Sequence, residues 1–365
     1  MIDDSKIGEA LLHWTPRFLA NGVDYNELQR IIARMRKWDD WCRAWSEIGA
    51  EHEAQAIVAL AAGHAITAAG AFTRAAIYYH FGQMIFYTDT AQKNAAHLKK
   101  VECYARAAPL LRPPAVRLEI PYEDITLPAY VRLPEGGGPH PCVILVCGLD
   151  SVKEQESHWE EPLLSRGMAT LSFDGPGQGE TWFRMKMRLD YETAVTAVID
   201  TLSAWPEIDV ARVGLLGHSM GGHFGARAAA RDPRVAACAL IAGFFTLRRW
   251  EEMSVFLRAG LKHVFGVGSE AEARERAAQL TLEGFAGDIR CPLLIVHGAK
   301  DTLLPVEEAH RLKAAVSGPA DLLIFPEGNH SCNNMPFRVE PAVADWLADR
   351  LVAGPSRVGR REARI

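Results

Sequence analysis

From residue 116 onward the chain alternates short apolar runs with amphipathic segments, and nothing else in it constrains the fold as strongly. A strand that leads into a helix and then into another strand must return to lie beside the first. Repetition of that unit builds a parallel sheet covered by helices on both faces. The apolar runs are residues 141–147 (P-C-V-I-L-V-C), 168–173, 213–216, 235–242, 292–297 and 322–325. Residues 141–147 are continuously apolar, as a parallel strand buried on both faces should be. Residues 116–120 and 125–133 precede them and read as a hairpin. Helical spacing occupies 156–166, 191–205, 220–231, 306–316 and 339–352. The expectation is an α/β fold with a mostly parallel eight-stranded sheet.

Upstream of Pro113-Pro114 the pattern is different. Residues 26–47 place Leu28, Ile31, Ile32, Met35, Trp38, Trp41 and Trp45 near one helical stripe. Residues 73–86 and 90–107 also have helical spacing. Residues 54–72 are long enough to span a bilayer, but they are mostly Ala and Gly with Gln55 and His64 inside, so a buried helix is expected. The chain therefore divides into a helical N-terminal region (1–112), a sheet-bearing core (113–353) and a frayed tail (354–365). Within the core, residues 243–288 interrupt the alternation with a charged helical stretch. An insertion of that size past a strand end has the character of a lid or cap.

Composition excludes several functions. The formal net charge is -5, so no global basic field is available to hold nucleic acid. The first residues carry acids where a secretion signal needs a basic start and an apolar run. Seven cysteines with no C-x-x-C pair fit neither a disulfide framework nor a structural zinc site. A cytoplasmic homodimer with no membrane attachment is expected.

Gly217-His218-Ser219-Met220-Gly221 matches G-x-S-x-G, with V-G-L-L running into it and a helical stretch leaving it. That is the strand-to-helix turn on which a nucleophilic serine is presented. Gly217, Gly221 and Gly222 leave the room such a strained turn needs. A serine hydroxyl needs a base to take its proton and an acid to orient that base. Asp301 follows the run L-L-I-V-H-G, and His330 follows L-L-I-F-P-E-G-N. Both fall just past strand ends, where sites of open parallel sheets lie. Ser219, Asp301 and His330 are thus the expected catalytic residues. Asp288 and Asp321 do not follow strands. Among the other histidines, His218 should point away from the nucleophile, His223 should be packed or partly exposed one turn into the following helix, and His297 should end a strand, just before Gly298 in a turn. None has the spacing of a metal pair, and the glycines of 175–179 do not open a helix as a phosphate loop would. No metal and no cofactor are expected.

Attack on a carbonyl creates an oxyanion that needs two preplaced N–H donors. The expected donors are the amides of Met220, next after the nucleophile, and Leu149, in the loop C-G-L-D-S after residues 141–147.

With D-G-P-G-Q-G-E, G-H-S-M-G-G, H-G-A-K-D and G-N-H in this order, the chain resembles an α/β-hydrolase over about residues 116–351. The helical N-terminal region, followed by R-L-E-I-P-Y-E-D-I-T-L-P-A-Y-V-R-L-P and C-G-L-D-S-V-K-E, is similar to the 2,6-dihydroxypseudooxynicotine hydrolase group. That resemblance implies hydrolysis of a carbon–carbon bond beside a ketone in an aryl or enolic, 1,3-diketone-like substrate. Hydrolysis of small or aromatic esters is the alternative, and a non-catalytic binding protein on the same fold a remote one. A carbon leaving group must be protonated, which calls for a further acid near the pocket. Glu251 is the expected one, with Glu252 beside it and Glu154 and Glu156 as weaker alternatives. The helical region is expected to help form the roof of the pocket. Trp38, Trp41, Trp45, Tyr78, Tyr79, Phe81 and Phe86 make it aromatic, with core packing expected for most of them and a few facing an aromatic ligand.

Overall fold

In the computed structural model, which describes residues 4–352, eight strands form one sheet. They are β1 (Ala115–Tyr122), β2 (Ile125–Arg132), β3 (His140–Val146), β4 (Ala169–Phe173), β5 (Ile208–His218), β6 (Val235–Ile241), β7 (Leu293–Gly298) and β8 (Ala320–Phe325). The order across the sheet is β1-β2-β4-β3-β5-β6-β7-β8. β1, β2 and β4 pair antiparallel, and every further neighbour pairs parallel. The strand order reverses at β4-β3-β5, the kind of switch point where ligands bind. Val146 pairs with Gly217, and Gly217 with Leu240, so the loops after β3, β5 and β6 leave the sheet side by side.

The central strands have two buried faces because residues of alternate parity feed two separate cores. Val143 and Leu145 of β3 join the core under α6 (Ser157–Leu164) and α12 (Pro336–Leu351). Cys142, Ile144 and Val146 join the opposite core, under α7 (Glu192–Leu202), α8 (Met220–Arg231) and α11 (Glu307–Ala315). This is the α/β-hydrolase fold, with helices on both faces of a mostly parallel sheet.

A third core belongs to the N-terminal helices α1 (Ser5–Ala20), α2 (Tyr25–Ala33), α3 (Trp41–Ala61), α4 (Ala65–Gln83) and α5 (Thr90–Ala107). The stripe read across 26–47 is buried apart from the half-buried Ile32, but not on one helix. α2 ends at Ala33, and the Asp40 carboxylate takes the Arg36 and Lys37 N–H groups before α3 begins. The expected buried helix over 54–72 is corrected twice. Gly63, at φ +77°, closes α3, with the Gly63 and His64 amides returning to the Leu60 and Ala59 carbonyls, and α4 starts afresh. The connection is also exposed, with Val58 and Ile66 at 70% and 65% exposure. Among the described residues no helix is long and apolar enough to cross a membrane. The aromatic residues named above are nearly all core, as in the Trp38–Trp41 stack with centroids 5.1 Å apart.

Residues 243–288 carry α9 (Val255–Phe265), which lies over the carboxyl ends of the strands, and α10 (Glu270–Ala277), which packs on α9. The tail expected at 354–365 lies outside the described residues.

Candidate active site

β5 runs straight into α8, and Ser219 between them adopts φ +56°, ψ −120°. A side chain at that φ is strained, and the turn persists because its neighbours are small and tightly packed. A Cβ at Gly217 would overlap the Gly221 carbonyl, and one at Gly221 would overlap the Val146 carbonyl. The Ser219 N–H bonds to the Ile241 carbonyl at 2.8 Å, tying the turn to the end of β6.

Ser219 Oγ lies 3.0 Å from His330 Nε2, and His330 Nδ1 lies 2.8 Å from Asp301 Oδ2. The other Asp301 oxygen accepts the Leu303 and Leu304 N–H groups at 2.9 and 3.0 Å. Burial alone would raise the Asp301 pKa. The adjacent His330, hydrogen bonds from both histidines and the Leu304 amide outweigh burial and hold the carboxyl well below its usual range. His297 stands 3.4 Å behind Asp301, with its Nε2 on the Leu304 carbonyl at 2.9 Å. As expected, it sits at the end of a strand, the penultimate residue of β7, and it braces the loop that aims the acid. Asp288 and Asp321 instead pair with Arg231 and Arg350 on the surface.

Met220 is the first residue of α8, so its N–H has no acceptor within the helix. Leu149 lines the cavity above Ser219. Its loop is gripped from below by Gln178, whose Nε2 donates to the Cys147 and Gly148 carbonyls at 2.8 and 2.7 Å. Tyr191 in turn donates to Gln178 Oε1 at 2.6 Å. The D-G-P-G-Q-G-E segment therefore braces the loop that follows β3.

The cavity over Ser219, with the solvent at its mouth, spans about 840 Å³ of empty space. Its roof combines α1, through His13, Trp14 and Arg17, with Tyr87 and with Phe256 and Gly260 of α9. Trp14 meets Phe256 edge-on at 5.1 Å, so the N-terminal region and the insertion close the roof together. None of the α1 residues carries a recognisable motif, and only the long-range contacts reveal them. His13 faces His330 with ring centroids 6.4 Å apart. Burial, reinforced by the nearby His330, lowers its pKa to about 4, so at neutral pH it is an uncharged donor or acceptor.

Two expectations are corrected. His218 does not turn away from Ser219. Its ring lines the same cavity and its Nε2 meets Ser151 Oγ at 2.9 Å. Glu251 is not brought to the site. Its carboxylate is 71% exposed and pairs with Arg274 at 2.8 Å on the outer side of the insertion. The reason is local: residues 250–252 form a single 3-10 turn that buries Trp250 and points both acids outward. Glu252 likewise pairs with Arg249. Glu251→Gln is therefore expected to leave kcat within about 2-fold of wild type. A loss of 10²-fold would return Glu251 to the site.

The weaker alternatives are deeply buried. Glu154 contacts Lys153 at 2.6 Å and Lys100 at 3.1 Å. With Asp174 and Glu180 it forms the one group of acidic side chains close enough to share a metal ion among the described residues. Lys153 Nζ already stands among the three, at 2.6–2.7 Å from each. Glu156 Oε1 lies 3.7 Å from His218 Nε2. Burial, reinforced by Glu160 and Asp174, raises the Glu156 pKa to about 8, and burial pushes His218 well below its normal value. The two are a neutral pair, not an ion pair.

A family model described as esterase FrsA-like matches residues 22–254, and one described as the dienelactone hydrolase family matches 174–348. The chain belongs to the FrsA-like family of α/β-hydrolases. This FrsA-like hydrolase is 37% identical over 348 residues to the 2,6-dihydropseudooxynicotine hydrolase of Paenarthrobacter nicotinovorans, covering 95% of this chain and 94% of that one. It is 30% identical to the 20-hydroxy-prefusarin hydrolase of Gibberella moniliformis, covering 77% and 78% of the two chains. The crystal structure of 2,6-dihydroxy-pseudo-oxynicotine hydrolase superposes with a TM-score of 0.87 at 35% identity, covering 93% of this chain and 96% of that one. The FrsA-like hydrolase is an enzyme acting on a small molecule.

Proposed function

We propose that this hydrolase cleaves a carbon–carbon bond beside a ketone in an aryl or enolic ketone, with Ser219 as nucleophile, His330 as base and Asp301 as the acid that orients it. The observation that carries the reading is the unbroken line of hydrogen bonds from Asp301 through His330 to Ser219, at 2.8 and 3.0 Å, at the floor of a cavity roofed by aromatic side chains. Its similarity to a pseudooxynicotine hydrolase over nearly its whole length supports a ketonic substrate.

His330 Nε2 takes the proton as Ser219 Oγ attacks the ketone carbon, and Asp301 stabilises the imidazolium that results. The Leu149 and Met220 amides receive the developing oxyanion. Collapse breaks the carbon–carbon bond and expels an enolate or ring anion. With Glu251 outside the cavity, the imidazolium of His330 is the group that returns a proton to the leaving carbon. Water, activated by the now neutral His330, then releases the acyl group from Ser219 as a carboxylic acid.

The second reading is an esterase, favoured by the description of the matching family and by the same arrangement of groups. An alkoxide leaves more readily than a carbon anion, so both reactions are within reach of this site. Purified protein assayed on aryl 1,3-diketones and p-nitrophenyl esters side by side separates the two. Higher kcat/KM on the diketones is expected. Turnover of the esters alone would establish the esterase instead.

A further inference from the structure

The loop that follows β3 holds the proposed oxyanion donor, yet among the described residues no backbone hydrogen bond fixes residues 149–151. What fixes them reaches across from the N-terminal region. Arg17 of α1 donates from Nη1 to Asp150 Oδ1 at 2.7 Å. Its Nη2 donates to Ser151 Oγ at 3.0 Å and to Gln155 Oε1 at 2.8 Å. Ser151 Oγ in turn meets His218 Nε2 at 2.9 Å, and His218 immediately precedes Ser219. One guanidinium thus joins the loop after β3 to the elbow after β5. Its planar fork suits this role, because it can hold several acceptors in a fixed relative geometry. Its charge is matched by Asp150, so it is already committed and is poorly suited to capturing an anionic substrate.

We propose that Arg17 is a positioning residue that holds Leu149 in register with the Ser219 elbow, so that the hydrolase chemistry depends on α1 being seated on the core. The proposal rests on the reading of Ser219 as nucleophile and Leu149 as oxyanion donor. In it, the helical region is a structural condition for the chemistry as well as a roof. α5 reinforces the arrangement further along the same loop, where Lys100 meets Glu154 at 3.1 Å.

Arg17→Lys keeps a cation beside Asp150 but cannot span all three acceptors. On p-nitrophenyl acetate, which is too small to need the roof, kcat is expected to fall at least about 10-fold, with KM within about 2-fold. Affinity for a trifluoromethyl ketone, whose adduct oxygen occupies the oxyanion site, should fall in step with kcat. Arg17→Ala should fall further and recover in part on addition of millimolar guanidinium. Ser151→Ala leaves the Arg17–Asp150 pair intact and should show a smaller loss in kcat, again with KM held. It carries the test should Arg17→Ala fail to fold. A fluorophosphonate probe separates the two levels of the argument. If the wild type is not labelled at Ser219, the reading of the nucleophile fails. If it is labelled, and Arg17→Lys turns over at the same rate, the positioning role is wrong. A raised KM with kcat unchanged would also overturn it, making Arg17 a substrate ligand.

Discussion

Ser219→Ala should lower kcat by at least about 10⁴-fold, the scale of loss when a triad nucleophile is removed. The substitution removes just the hydroxyl oxygen, whose one side-chain hydrogen bond among the described residues is to His330. The elbow itself is set by the backbone of Ser219 at φ +56° and by the close approach of Gly217 and Gly221. Alanine meets the same constraints there as serine, so the melting temperature should stay within about 2 °C of wild type. The decisive measurement is kcat on an aryl diketone at a matched folded concentration. If more than about a tenth of the activity survives, Ser219 is not the nucleophile and the Asp301–His330 pair serves another step.

That outcome depends on residues that could be read from the sequence because the fold places them at strand ends. β5, β7 and β8 each announce themselves as apolar runs, and the residues just after them can be picked out by chemistry alone. Ser219, Asp301 and His330 meet in space because parallel neighbours deliver their carboxyl ends to one edge of the sheet. The positions of Leu149, in the loop after β3, and Met220, at the start of α8, follow from the same arrangement of strand ends. The α1 residues of the roof were not legible. His13, Trp14 and Arg17 reach the cavity through tertiary contacts that span more than a hundred residues, as Arg17 to Asp150 does. No local pattern encodes such a pairing. Glu251 failed for a related reason. Its place after β6 suggested proximity to Ser219, but a single 3-10 turn decides which way it points, and the sequence contains no periodicity long enough to reveal that. The interruption at Gly63 was hidden by alanine, whose helix propensity carries the pattern across a true boundary. His218 was turned the wrong way because Ser151 and its loop, which hold its ring, come from another strand.

The remaining large effect lies beneath the cavity, at Glu156. Its carboxyl is 1% exposed, and Oε2 has no hydrogen-bond partner among the described residues. Cys147 Sγ at 3.6 Å and His218 at 3.7 Å are its polar neighbours, and neither offers a full charge at neutral pH. Arg17 lowers its pKa, but burial dominates, and the result is a carboxylic acid with a pKa of about 8 against an ordinary value of 4.5. Between those two pH values the unfolded chain has released this proton while the folded protein still holds it. The folded state then binds more protons, so stability falls as pH rises across that window and levels off above it. At about 1.4 kcal/mol per unit, the full cost is on the order of 4–5 kcal/mol above pH 8. Glutamine has nearly the shape of the neutral acid and does not titrate. Glu156→Gln should therefore match wild-type stability near pH 5 and exceed it by several kcal/mol near pH 9. Urea unfolding at the two pH values measures the difference directly. A constant difference between the proteins from pH 5 to 9 would mean that Glu156 ionises normally in the folded state, with water or a rearranged His218 compensating its charge.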